Sequence, residues 1–169
     1  MRDLAQLLNS MRESGVIAKY ALFGATAQMR YTEPVATLDV DVLVSLPDAE
    51  GLDILRPIYD YCVARGYEAE GEAIRVGAWP VQFIPVFSSL TREALDQAET
   101  ADFEEVPLQV VGAAHLAAIA LSVGRGKDYA RILSLLESKA TTVDEIHEIA
   151  LRHELDASWT RFARRFLDE

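Results

Sequence analysis

The segment Leu38-Asp39-Val40-Asp41-Val42-Leu43-Val44 constrains this chain more than any other. Apolar residues alternate with aspartates, which is the pattern of a strand covered on one face. Side chains two apart on a strand share a face and stand about 7 Å apart. Asp39 and Asp41 therefore project together, and Leu38, Val40, Val42 and Val44 project the other way. The apolar side demands a core. Aspartate is depleted in strands, and two carboxylates on one face repel, each seeking solvent or a cation. An oxygen-preferring ion such as Mg²⁺ satisfies both. A solvated polar stripe is the alternative reading of this segment.

The residues upstream favour the cation. Tyr20-Ala21-Leu22-Phe23 reads as a buried strand ending at Gly24, and Ala25 to Arg30 as a short helix. A strand-to-helix junction turns backbone N–H groups toward an anion, and Gly24 lets a phosphate approach the backbone. Gly24 alone also reads as a tight turn. Strand, glycine turn, helix and a strand bearing Asp-x-Asp together form a layout for Mg²⁺-bound nucleotide phosphates.

The rest of the chain builds a frame for that layout. Leu4, Leu7, Leu8 and Met11 predict an amphipathic helix over 2–15. A helix is expected from Pro47-Asp48 to about Arg65, kinked or divided at Pro57. Tyr67–Val76 and Val81–Phe87 read as an antiparallel hairpin. Thr91 is expected to cap a short helix, and Val106–Val111 to form a strand with Pro107 at an edge or a strand start. Four helices follow, over 112–122, over 127–138, after the Thr142–Glu145 capping box, and from Asp156. Mixed strands followed by helices define an α+β fold, a mixed sheet flanked by helices. Residues 1–111 are expected to form the α/β core and 112–169 a helical part packed on it as one compact unit.

Composition bounds the function. The 169 residues carry 16 Lys and Arg against 27 Asp and Glu, a net charge of −11. An acidic surface repels phosphate backbones and anionic membranes, so no extended nucleic-acid footprint and no membrane association are expected. No signal-peptide core or apolar stretch of spanning length is evident, and the chain reads as cytoplasmic. Cys62 is alone, which excludes an intrachain disulfide, and it reads as a buried thiol. His115, His147 and His153 lie too far apart in the pattern for a zinc site and read as partly exposed helix residues. Gly124-Arg125-Gly126-Lys127-Asp128 is no P-loop, because Leu121 and Asp128 occupy the positions of its first glycine and its Ser/Thr. Trp159, Phe162, Ala163 and Phe166 form a C-terminal apolar stripe that reads as core.

Phe23-Gly24-Ala25 followed after a spacer by Asp39-Val40-Asp41 resembles the polymerase-β-type nucleotidyltransferase superfamily. Thr37–Asp41, Val81–Pro85, Thr91–Leu95 and Gly124–Asp128 are similar to small bacterial proteins near the AbiEii-type toxins. The resemblance covers roughly 18–136. It implies Mg²⁺-dependent transfer of a nucleotide from an NTP to a protein, a tRNA end or a small molecule, with Asp39 and Asp41 as catalytic metal ligands. It further implies nucleotide contacts from Gly24, Ala25, Thr26, Lys127 and Asp128, and an antitoxin as a partner. Lys127 and Asp128 also read as an ordinary helix start. The chain departs from the pattern at Ala25, at Gln82 in the third-carboxylate position, and at Ala120 where some toxins carry lysine. Glu70 and Glu72 are substitutes for the third acid, with an exposed edge as the plainer reading. These departures point to a second function, a catalytically weakened binding or regulatory module.

Overall fold

The computed structural model of the chain describes residues 1–47 and 53–167. The described residues form eight helices and one seven-stranded mixed sheet, so the fold is α+β as expected. The elements are α1 (Arg2–Glu13), β1 (Lys19–Phe23), α2 (Gly24–Gln28), β2 (Val40–Ser45), α3 (Arg56–Val63), β3 (Glu68–Glu70), β4 (Ala73–Val76), β5 (Trp79–Pro85), α4 (Ser89–Asp96), β6 (Glu99–Phe103), β7 (Val106–Val110), α5 (Ala113–Val123), α6 (Gly126–Glu137), α7 (Val143–Arg152) and α8 (Asp156–Phe166). The sheet order is β3-β4-β5-β2-β1-β7-β6. β2 lies at its centre, antiparallel to β1 and parallel to β5.

Val40, Val42, Leu43 and Val44 of β2 are all fully buried. The strand is therefore covered on both faces, and its carboxylate face closes over at Leu43. On that face only the end positions Asp41 and Ser45 stay half-buried. The strand starts later than the alternation predicts, and Leu38 is 91% exposed instead of facing the core. The local cause is a hydrogen bond in which Thr37 Oγ1 donates to the Asp39 carbonyl at 2.9 Å. That side-chain bond holds a bend where the ladder would otherwise begin.

Other boundaries shift for similar reasons. The expected helix start at Asp48 lies outside the described residues. Pro57 falls in the first turn of α3, where its missing N–H is harmless, and produces no kink. The run Tyr67–Val76 divides into β3 and β4 at Gly71, whose φ of +62° makes a turn. Ser88, not Thr91, caps α4, and the two form a reciprocal capping box. Strand β6 has the sequence Glu-Thr-Ala-Asp-Phe and carries little apolar signal; antiparallel pairing with β7 makes it a strand. Thr142 and Glu145 do form the expected capping box of α7.

Helix α5 is buried over almost its whole length, from Ala113 to Leu121 apart from Ala114, and packs against α4, α6, α7 and α8. A helix apolar all round belongs inside. Trp159 and Phe162 of α8 are buried, and Phe162 and Phe166 pack on Tyr129 with ring centroids 5.8 and 5.5 Å apart. His147 and His153 are half-buried, as expected, whereas His115 is buried. His115 and His153 both contact Glu93, at 3.1 and 2.7 Å, and Arg152 donates to the same carboxylate at 2.6 Å. His147 stacks on Trp159 with centroids 4.9 Å apart.

Candidate active site

The β1–α2 junction and the start of β2 meet at one point. Gly24 has φ +63°, a left-handed conformation that only glycine adopts freely. Its missing side chain is required for a second reason. A Cβ at Gly24 would overlap the Asp41 Oδ2 atom and stand 3.2 Å from Asp41 Cγ. The carboxylate of Asp41 thus packs directly over the glycine turn. Register places Phe23 opposite Asp41 on one side and Gln82 opposite Asp41 on the other. Gln82 is half-buried, one strand away from the aspartate.

Asp39 and Asp41 open into a cleft of about 590 Å³ whose other walls include Ala25, Gln28, Lys127 and Arg131. The loop Val35–Leu38 closes one side, and Ser134 continues the α6 wall. Burial pushes the Asp41 carboxyl above its ordinary value, and the nearby Asp39 charge pushes it further; Arg131 and Lys127 act in the opposite direction. A group so placed gains from a cation. Two adjacent carboxylates with one open side are a donor set suited to Mg²⁺, which binds through one or two carboxylates plus substrate phosphates. Asp39 and Asp41 therefore fit the ion that the sequence resemblance implies.

The remaining expected residues distribute themselves around this cleft. Ala25 lines it. Thr26 instead donates a long, 3.5 Å hydrogen bond to the Asp39 carbonyl and faces the apolar hollow beside Phe103. Lys127 lines the cleft from an exposed position. Asp128 lies outside the lining and is buried. Its Oδ2 accepts from the Arg125 backbone N–H at 3.1 Å and from Arg125 Nε at 2.7 Å, which is the capping box of α6. Burial opposes ionisation of Asp128, yet these Arg125 bonds prevail and hold its carboxyl below the usual range. Glu70 sits on the edge strand β3, ion-paired to Arg75, and Glu72 is exposed, so neither reaches the cleft. Ala120 is buried inside α5. Cys62 is a buried thiol that burial pushes up to about 11, an unreactive group.

Arg131 was not singled out from the sequence. Its signal was its spacing, four residues after Lys127 on one helix, which sets both cations on one face of α6.

The chain thus combines a mixed α+β sheet, a glycine turn and two aspartates at the start of its central strand. Solved structures agree on the fold. An antigenic nucleotidyltransferase-like protein from Paracoccidioides brasiliensis superposes with a TM-score of 0.58 at 13% identity, covering 99% of this chain and 90% of that one. The antibiotic-resistance factor ANT(2'')-Ia gives a TM-score of 0.50 at 10% identity, covering 96% of each chain. A second structure of ANT(2'')-Ia, in complex with adenylyl-2''-tobramycin, gives 0.50 at 9% identity and covers 96% of this chain and 97% of that one. No protein-family model matches the chain, and no curated protein matches it in sequence.

Proposed function

We propose that this chain is a nucleotidyltransferase that takes an NTP and Mg²⁺ into the cleft of Asp39 and Asp41. The observation that carries the reading is the packing of Asp41 over Gly24, which joins the phosphate-approach turn to the candidate metal ligands. Asp39 and Asp41 hold the ion, which when bound neutralises phosphate charge and orients the triphosphate. The Gly24–Ala25 backbone and Lys127 bind phosphate oxygens. An acceptor hydroxyl attacks the α-phosphorus in line, the bond to the bridging oxygen breaks, and pyrophosphate leaves. Gln82 is no base at neutral pH, so the acceptor proton passes to water in the open cleft. The acceptor is a protein, a tRNA end or a small molecule; the ANT(2'')-Ia complex with adenylyl-2''-tobramycin supports a small-molecule arm in the screen.

The test is label transfer from each α-labelled NTP with Mg²⁺, comparing wild type with Asp39→Ala. Transfer lost in the variant supports the reading. A wild type that neither transfers label nor binds Mg²⁺–NTP overturns it.

Gln82 in register with Asp41 favours a second reading, a binding or regulatory module of the same fold. That reading expects NTP binding without product, and a gain of transfer in Gln82→Asp. Turnover by wild type removes it. The resemblance to AbiEii-type toxins extends the first reading to growth arrest relieved by an antitoxin. Equal growth on induction of wild type and Asp39→Ala argues against that role.

A further inference from the structure

Arg131 is held in an unusual way for a cation beside two aspartates. Its Nε donates to Gln28 Oε1 at 3.0 Å, and Gln28, the last residue of α2, is only 5% exposed. Both side chains line the cleft of Asp39 and Asp41. Among the described residues no carboxylate forms an ion pair with Arg131, and no other hydrogen bond engages it. Asp128, the nearest candidate in sequence, is consumed by Arg125. A guanidinium has five N–H donors. One is spent on Gln28, which fixes the plane of the group, and four remain for a ligand.

Resting on the nucleotide reading of this cleft, we infer that Arg131, clamped by Gln28, is its principal phosphate-binding side chain and grips the triphosphate of the incoming nucleotide. An arginine fork pairs with phosphate through two parallel bonds, whereas a lysine acts as a point charge. Lys127 is exposed at the rim; Arg131 is half-buried and pre-oriented. Gln82, although in register with Asp41, lies outside the cleft lining. The ionised groups that do line it are Asp39 and Asp41 against Lys127 and Arg131. The charges balance before any ligand enters, so a polyanion meets no net repulsion. Gln28 also ties α2, which carries the glycine turn, to α6, which carries both cations.

Two bindings with opposite signs test this. Inorganic tripolyphosphate and ATP, with and without Mg²⁺, are titrated calorimetrically into the full chain, and Mn²⁺ alone is titrated with electron paramagnetic resonance as the readout. Arg131→Ala is expected to weaken tripolyphosphate about 10- to 100-fold, the range of charge-assisted hydrogen bonds. The same variant binds Mn²⁺ more tightly, because a cation has left the neighbourhood of Asp39 and Asp41. A merely structural arginine would loosen both ligands on removal. Arg131→Lys keeps the charge and the Mn²⁺ affinity but loses the fork, weakening tripolyphosphate several-fold; it carries the test should the alanine variant not fold. Gln28→Leu weakens tripolyphosphate and leaves Mn²⁺ unchanged. Tripolyphosphate affinity equal to wild type in Arg131→Ala, or in Arg131→Lys where the alanine variant fails to fold, overturns the inference while the nucleotide reading stands. Looser Mn²⁺ binding in Arg131→Ala also overturns it. A wild type that binds neither tripolyphosphate nor ATP overturns the nucleotide reading itself.

Discussion

Replacing Gly24 by alanine isolates the contact on which the candidate site rests. Two penalties combine there. A left-handed residue other than glycine costs about 1–2 kcal/mol, and forcing a methyl group into occupied space costs about 1–3 kcal/mol more. Gly24 has φ +63°, and its Cβ would meet the Asp41 carboxylate. The expected loss in Gly24→Ala is therefore about 2–5 kcal/mol. Gly15 supplies the control, because it has φ +75° and nothing within 4 Å of its Cβ position. Gly15→Ala should lose only the backbone part, about 1–2 kcal/mol. The decisive comparison is Gly24→Ala in an Asp41→Ala background. Shortening Asp41 removes the obstacle, so the Gly24 penalty should fall to the Gly15 level, a coupling of about 1–3 kcal/mol. Urea unfolding followed by far-ultraviolet circular dichroism measures all five chains, with unchanged denaturant slopes confirming a common unfolded state. If the Gly24 penalty is the same with and without the Asp41 carboxylate, the packing of Asp41 on the turn is wrong.

Three further outcomes are expected. Burial and Asp39 raise the Asp41 carboxyl, so its ionisation weakens the fold; the native state binds the proton more tightly than the unfolded one, and stability falls as pH rises through and above the carboxylate range. Asp41→Asn should accordingly melt higher than wild type at neutral pH, the gap closing on acidification, while Mg²⁺ should stabilise wild type and not the variant. Glu93 shows the opposite sign: hydrogen bonds from Arg152, then from His153 and His115, hold its carboxyl at about 2 against an ordinary 4.5. Its stabilisation is present above 4.5 and lost as pH falls toward 2; the displacement corresponds to roughly 3 kcal/mol, reduced to about 1.5–2 kcal/mol by solvent around the half-exposed Arg152. Glu93→Gln should be less stable than wild type by that amount at pH 7 in urea titrations, with a clearly smaller gap at pH 3, and an unchanged gap would contradict the ion cluster. Asp128→Ala removes the α6 cap and should lose about 1–2 kcal/mol in the same urea assay, and through α6 it should also weaken ATP binding; full stability in this variant would show that Arg125 does not depend on it.

The chain's sequence made the central strand legible because alternation and the Asp-x-Asp pair are local signals. Gly24 was legible for the same reason, as a glycine between a buried run and a helix. The reason for that glycine was not, since Asp41 lies 17 positions away and only the β1–β2 pairing brings it over the turn. β6 was missed because Glu99–Phe103 takes its strand form from the β7 ladder and not from its own composition. Leu38 was placed in the core by alternation, but a single Thr37 hydrogen bond to the Asp39 carbonyl delays the strand. Asp128 reads as a nucleotide ligand because Lys127-Asp128 resembles the superfamily's Lys/Arg-Asp element; one step along a helix turns a side chain by about 100°, so Lys127 lines the cleft while Asp128 points to Arg125. Arg131 and Gln28 are 103 positions apart, and no local pattern joins them.

Charge placement narrows what this cleft can accept. The chain carries −11 overall, yet one wall of the cleft presents Lys127 and Arg131 to the space in front of Asp39 and Asp41. Two cations neutralise about two phosphates, and beyond the Debye length of about 8 Å at physiological salt they add little. A longer polyanion laid across the surface would leave that shelter and meet the acidic body. Under the proposed function, the cleft thus suits a compact, densely charged anion entering with its own counter-ion, a nucleoside triphosphate, better than a nucleic-acid strand. Where the acceptor is an RNA, the same balance admits its end alone.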